Sequence, residues 1–175
     1  RVAIARALAL EPQVIIADEP TSALDVSVRA QILNLLLDLK QRLNLAMVYI
    51  SHDILTVRRV SDRVVTMYLG RIVEETPVAL VEAQTRHPYT RALLSATPSL
   101  LHPIAPIPLT GPVPSSVHPP SGCPFRTRCW RATDTCATQM PPVSTSPESD
   151  RHHYRCYHPI LTSADLTGAG VEALP

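Results

Sequence analysis

Residues 14–25 constrain this chain more than any other stretch. Val14-Ile15-Ile16-Ala17 is an unbroken apolar run that stops abruptly at Asp18-Glu19-Pro20, followed by Thr21-Ser22-Ala23-Leu24-Asp25. A strand that does not alternate has no wet face, so the run predicts a parallel strand covered on both sides, with its carboxyl end at a site. Successive strand side chains point to opposite sides. Asp18 can therefore face a magnesium shell while Glu19 faces a water, which is the division of labour that phosphoryl transfer needs.

The pattern repeats. Ala46-Met47-Val48-Tyr49-Ile50 is a second continuous apolar run, again ending in polar residues, Ser51-His52-Asp53. Between the two runs, Asp25 is placed to cap a helix over about 26–43. Val28, Ile32, Leu35, Leu36, Leu39 and Leu43 lie on one face of that helix. Strand, helix and strand, each strand ending in charge, predict a parallel sheet with its site along the carboxyl edge. His52 then lies beside Asp18 and Glu19.

Upstream, residues 1–10 consist of strong helix formers without a start signal, and Glu11-Pro12 ends them. Downstream, a short helix over 54–60 precedes the apolar runs 63–68 and 71–75, which flank Leu69-Gly70 and read as a hairpin. A short helix to about Gln84 is expected next, then one over 88–96 that starts at Pro88, a residue suited to a first helical turn. From Thr97 to Pro120, recurrent prolines exclude helix and central strand and leave an extended, partly ordered segment. Residues 161–175 have no period and predict a disordered tail.

The string IIADEPTSALD, with AIARAL before it and ISHD after it, resembles the second half of an ABC-type ATPase domain. The phrase HPYTRALL at 87–94 narrows the resemblance to ATPases of oligopeptide and dipeptide importers, and 61–75 looks closer to the second of their two ATPase paralogues. The fold this implies is α/β: the C-terminal part of an ABC-type P-loop NTPase domain over 1–85, with a parallel sheet flanked by helices and ending in a hairpin. An irregular proline- and cysteine-rich extension follows over 86–160. The resemblance also implies roles. Asp18 would hold Mg2+ through water, Glu19 would polarise the attacking water, Ser22-Ala23-Leu24-Asp25 would form the dimer-contact loop, and His52 would meet the γ-phosphate of ATP. None of the five glycines begins the Gly-x-x-x-x-Gly-Lys-Ser/Thr pattern of a phosphate loop, and the family's signature loop is also missing from these residues. The chain therefore reads as a C-terminal fragment that does not hydrolyse ATP alone.

All four cysteines fall in one segment, Cys123, Cys129, Cys136 and Cys156, spaced C-x5-C-x6-C-x19-C. Disulfides are uncommon in the cytosol, so the group points to a metal. Four thiolates suit tetrahedral zinc and a 4Fe-4S cluster equally on count, although zinc sites favour closer pairs. The resembling importers carry a 4Fe-4S cluster in this extension; Zn2+ and no metal at all are the alternatives. His118, His152, His153 and His158 flank the cysteines as substitute ligands or solvated side chains. Arg126, Arg128 and Arg131 either offset cluster charge or form ordinary surface.

A net charge of +1 argues against nucleic acid as a partner and against an ABC ATPase working on DNA or ribosomes. No apolar stretch approaches the roughly 20 residues needed to span a bilayer. The implied protein is a peripheral ATPase on the cytoplasmic face of the bacterial inner membrane. Its implied partners are a second, homologous ATPase subunit and transmembrane permease subunits. The alternatives are a nickel or other small-solute importer and a non-catalytic truncated product.

Overall fold

A computed structural model describes residues 2–97, 105–162 and 165. The chain forms two compact units, Arg1–Ser61 and Asp62–Pro175.

In the first unit, α1 (Val2–Leu8) leads to β1 (Val14–Asp18), α2 (Val26–Arg42), β2 (Ala46–Ile50) and α3 (Ile54–Val60). The strands pair in parallel from Val14–Ala46 to Asp18–Ile50, as their apolar runs predict. Asp25 caps α2, its carboxylate accepting from the Val28 amide at 2.9 Å. Asp53 caps α3 through the amides of Leu55 and Thr56. The helix α2 buries Ile32, Leu33 and Leu36.

Burial on both faces of the sheet is not met. Val14, Ile16, Val48 and Ile50, which share a face by register, are 46–70% exposed, whereas Ala17 on the other face is buried. Among the described residues nothing covers that apolar face, so the absence of alternation reports a surface suited to burial rather than one buried here.

In the second unit, β3 (Arg63–Tyr68) and β4 (Arg71–Pro77) form the expected hairpin about Leu69-Gly70, both in left-handed backbone. The hairpin does not stand alone. Strand β6 (Ser149–Tyr154) pairs antiparallel with β4, and β5 (Ser144–Ser146) pairs with β6, giving the order β3-β4-β6-β5. The segment after Pro77 forms turns rather than the short helix expected to Gln84. Helix α4 (Pro88–Ser95) starts at the proline as predicted. The proline-rich residues 105–120 have no regular structure, yet Ile107 is buried against Ala92 and its amide donates to Ser95 Oγ at 2.9 Å. A single-turn helix, α5 (Asp134–Thr138), carries Cys136. Residues 98–104 and most of the expected tail at 161–175 lie outside the described residues.

Candidate functional site

Parallel register sets the geometry at the strand ends. Because Asp18 pairs with Ile50, both strands finish level, and the Glu19 amide then donates to the Ile50 carbonyl at 2.9 Å. The segments leaving β1 and β2 run side by side from that bond. Glu19 Oε1 meets His52 Nδ1 at 2.8 Å. Glu19 has φ +45°, a left-handed conformation that costs a residue with a side chain about 1–2 kcal/mol. Such strain persists where surrounding structure fixes it, characteristically at working sites. The His52 side chain is 81% exposed and that of Glu19 38%, so the pair faces solvent instead of bracing a core. Asp18 ends the strand, exposed, beside them.

The loop after Glu19 is folded by its own polar atoms. The Ser22 hydroxyl and amide both donate to the Glu19 carbonyl, at 3.0 and 3.2 Å, and the Leu24 amide donates to the Thr21 carbonyl at 3.2 Å. Thr21 Oγ1 lies 3.2 Å from the Tyr49 hydroxyl of β2, which ties the loop to the second strand. At Asp25, bonds from the Val28 amide and the Ser27 hydroxyl hold the carboxyl below its usual pKa. Arg29 of α2 reaches in two directions, to the Leu24 carbonyl at 3.4 Å and to Asp53 Oδ2 at 3.5 Å. Burial pushes the Asp53 pKa up. Bonds from the Thr56 hydroxyl and amide, the Leu55 amide and the charge of Arg29 outweigh it, and the group ends below its ordinary value.

The cysteines form a second centre, within the other unit. All four are free thiols, and together with His87, Phe125 and Arg131 they line one cavity. Phe125, the chain's one phenylalanine, is fully buried. It packs edge-on to Tyr68 and tilted against Tyr89, with ring centres 5.2 Å away in both cases, and lies 5.8 Å from His87. The Cys123 amide donates to the Cys136 carbonyl at 2.8 Å. Backbone N–H groups of Phe125 and Arg126 point at the Cys123 sulfur, that of Arg131 at Cys129 and that of His158 at Cys156. Burial, reinforced by the neighbouring thiols, pushes Cys129 up to about 11 and Cys156 to about 12. Among the described residues no group of three or more His, Cys, Asp or Glu side chains is arranged to hold a single metal ion.

Beside this cavity lies a buried polar network that the sequence did not disclose. Glu74 of β4 accepts from the Arg86 and His87 amides at 2.6 and 3.1 Å and meets His152 Nε2 at 2.8 Å. His152 is therefore neither solvated nor a substitute for a thiolate; it is fully buried against Glu74. Arg86 bonds the Ile160 carbonyl at 3.0 Å, the Ser146 hydroxyl at 3.3 Å and the Glu148 carboxylate. His158 Nε2 lies 2.9 Å from the Thr133 hydroxyl. Of the three arginines near the cysteines, Arg126 bonds the Ser121 carbonyl and Arg131 the His158 carbonyl, and both line the cavity. Glu74 stands next to Glu75 in a strand that also holds Arg71 and Thr76, so the sequence carried no signal that it is buried.

Residues 73–136 match the family model described as oligopeptide/dipeptide transporter, C-terminal region. The chain is 48% identical over 160 residues to the dipeptide transport ATP-binding protein DppF of Haemophilus influenzae, covering 90% of this chain and 48% of that protein. It is 47% identical over 161 residues to the di/tripeptide transport ATP-binding protein DppF of Pseudomonas aeruginosa, covering 90% and 49%. Over most of its length the chain is similar to the ATP-binding proteins of oligopeptide/dipeptide ABC transporters. It spans about half the length of the curated relatives it matches. The span matched by the family model runs from β4 to Cys136. It includes the His87-Pro88-Tyr89 phrase and three of the four cysteines, while Cys156 lies beyond it.

Proposed function

We propose that the protein to which these residues belong is the ATP-hydrolysing subunit that energises uptake of oligopeptides or dipeptides. The observation that carries this reading is the Glu19–His52 pair at the level ends of two parallel strands. Glu19 orients the attacking water and His52 contacts the terminal phosphate and holds the Glu19 carboxylate in place. Asp18 holds magnesium through water, and the metal neutralises charge on the phosphates. The loop Ser22–Asp25 presents a contact surface to a second ATPase subunit, which is homologous but different. Nucleotide-driven closure of that pair moves the attached permease subunits, and hydrolysis reopens it. Among the described residues no helix is long and apolar enough to cross a membrane, which accords with peripheral attachment on the cytoplasmic face. Residues 1–85 belong to the ATPase domain and 86–160 to its extension, and the pairing of β6 with β4 supports an extension docked on the domain. The 175 residues alone turn over no ATP.

The four cysteines hold a 4Fe-4S cluster in this reading. They line one cavity, the sulfurs of Cys123, Cys129 and Cys156 receive backbone N–H bonds, and Arg126 and Arg131 stand beside them. A single zinc ion needs its thiolates about 2.3 Å from one point, and no described group converges in that way; a cluster spreads its ligands more widely. Bound there, it would staple the segments bearing Cys123, Cys129, Cys136 and Cys156.

The test is Glu19→Gln in the longer protein assembled with its partners. ATP binding is retained and steady-state hydrolysis falls at least about a hundredfold. Unchanged hydrolysis overturns the role of Glu19.

A further inference from the structure

Glu19 and His52 meet at 2.8 Å in solvent. An exposed pair of this kind gains little by itself, so its geometry has to be set by what lies behind it. Glu19 is also in left-handed backbone, φ +45°, a conformation that persists only where neighbouring structure fixes it. Near Glu19 the bonds are to backbone: Ser22 folds back on the Glu19 carbonyl, and the Glu19 amide donates to the Ile50 carbonyl of β2. Farther along the turn the tie is between side chains. Thr21 Oγ1 lies 3.2 Å from the Tyr49 hydroxyl, in a part-buried contact. Thr21, two residues past Glu19, is 5% exposed. Tyr49 is half-buried, three residues before His52, and stands opposite the buried Ala17 by register. A tyrosine withdrawn from water needs a partner for its hydroxyl, and here the partner is the loop that follows Glu19. One bond therefore joins the segment carrying Glu19 to the strand that delivers His52.

We propose that Tyr49 is a positioning residue for ATP hydrolysis: through Thr21, its hydroxyl holds the turn that aims the Glu19 carboxylate at His52. The inference rests on the roles proposed for Glu19 and His52. Tyr49 acts through other residues, so its hydroxyl changes how often the attacking water is correctly oriented and leaves ATP binding alone.

The experiment measures steady-state ATP hydrolysis by the longer protein assembled with its partners, in wild-type form and as Tyr49→Phe, Thr21→Val, Thr21→Ser and Glu19→Gln. Phenylalanine keeps the ring and deletes one oxygen, valine keeps the shape of Thr21 without its hydroxyl, and serine keeps the hydroxyl. The expected results are a kcat about tenfold lower in Tyr49→Phe and Thr21→Val, with KM for ATP within about twofold of the wild type. Thr21→Ser returns most of the rate, and the Tyr49→Phe, Thr21→Val double variant is no slower than the worse single one. A Tyr49→Phe protein with wild-type kcat, where Glu19→Gln is inactive, overturns the role of Tyr49 and leaves that of Glu19 intact. Equal losses in Thr21→Ser and Thr21→Val, or losses that multiply in the double variant, overturn the hydroxyl pair. Should Thr21→Val fail to fold, Tyr49→Phe carries the test by itself. Wild-type hydrolysis in Glu19→Gln overturns the reading of the site, and the role of Tyr49 with it.

Discussion

Glu74 Oε1 and His152 Nε2 lie 2.8 Å apart with both side chains wholly buried, joining β4 to β6 across 78 residues of sequence. The carboxylate also takes two backbone amides at the start of α4. One acidic side chain therefore fixes where hairpin, helix and extension meet. Removing one partner of such a set leaves the others buried and unsatisfied, which costs about 3–5 kcal/mol. Glu74→Ala is expected to lose that much in denaturant unfolding, and Glu74→Gln, which keeps an acceptor, about 1–3 kcal/mol. A loss below about 1 kcal/mol for the alanine variant contradicts this role.

Acid sensitivity follows from Glu148. Bonds from Arg86 and Ser146 hold its carboxyl down to about 2, against an ordinary 4.5. A depressed carboxyl contributes stability that is fully present above about 4.5 and is lost as pH falls toward 2. Glu148→Gln should therefore flatten the unfolding free energy between those values and leave its pH dependence above 5 unchanged. An acid limb in the variant as steep as in the wild type contradicts the assignment.

At Gly122 the backbone has φ +64°, and an added Cβ would lie 2.3 Å from the Cys136 carbonyl oxygen. That oxygen is the acceptor for Cys123, so the two cysteine segments touch there backbone to backbone. Gly122→Ala is expected to lower stability by more than about 2 kcal/mol, from left-handed strain plus the clash, and to reduce iron uptake in parallel. Wild-type unfolding of this variant excludes the close approach.

Much of the first unit was legible because its signals are local. Apolar runs placed β1 and β2, an aspartate at its cap placed α2, and equal strand ends brought Glu19 to His52. The second unit hid more. Ser144–Ser146 and Ser149–Tyr154 are polar strands with no alternating apolar face, so nothing in their composition betrayed the pairing with β4. Glu74 and His152 look like surface residues until the two strands meet. The exposed face of β1 and β2 went unforeseen for another reason: an apolar run records what a strand is fit to pack against, and coverage depends on atoms distant in sequence.

Arg29 spans from the Leu24 carbonyl to Asp53, the residue after His52. The ion pair is about one-third exposed on each side, so its worth to folding is small, below about 1 kcal/mol. Arg29→Met should therefore unfold within that margin of the wild type, yet hydrolyse ATP several-fold more slowly in the longer protein, with kcat reduced more than KM is raised. Loss of stability matching the loss of activity contradicts a positioning role.

The most direct measurement is a double-mutant cycle of ATP hydrolysis on Glu19→Gln and His52→Ala in the assembled transporter. Two groups working as one unit give strongly non-additive losses. The expected result is a double variant no slower than the worse single variant, with ATP still bound in all three. Losses that multiply, or a His52 variant with wild-type turnover, contradict a shared site at the ends of β1 and β2.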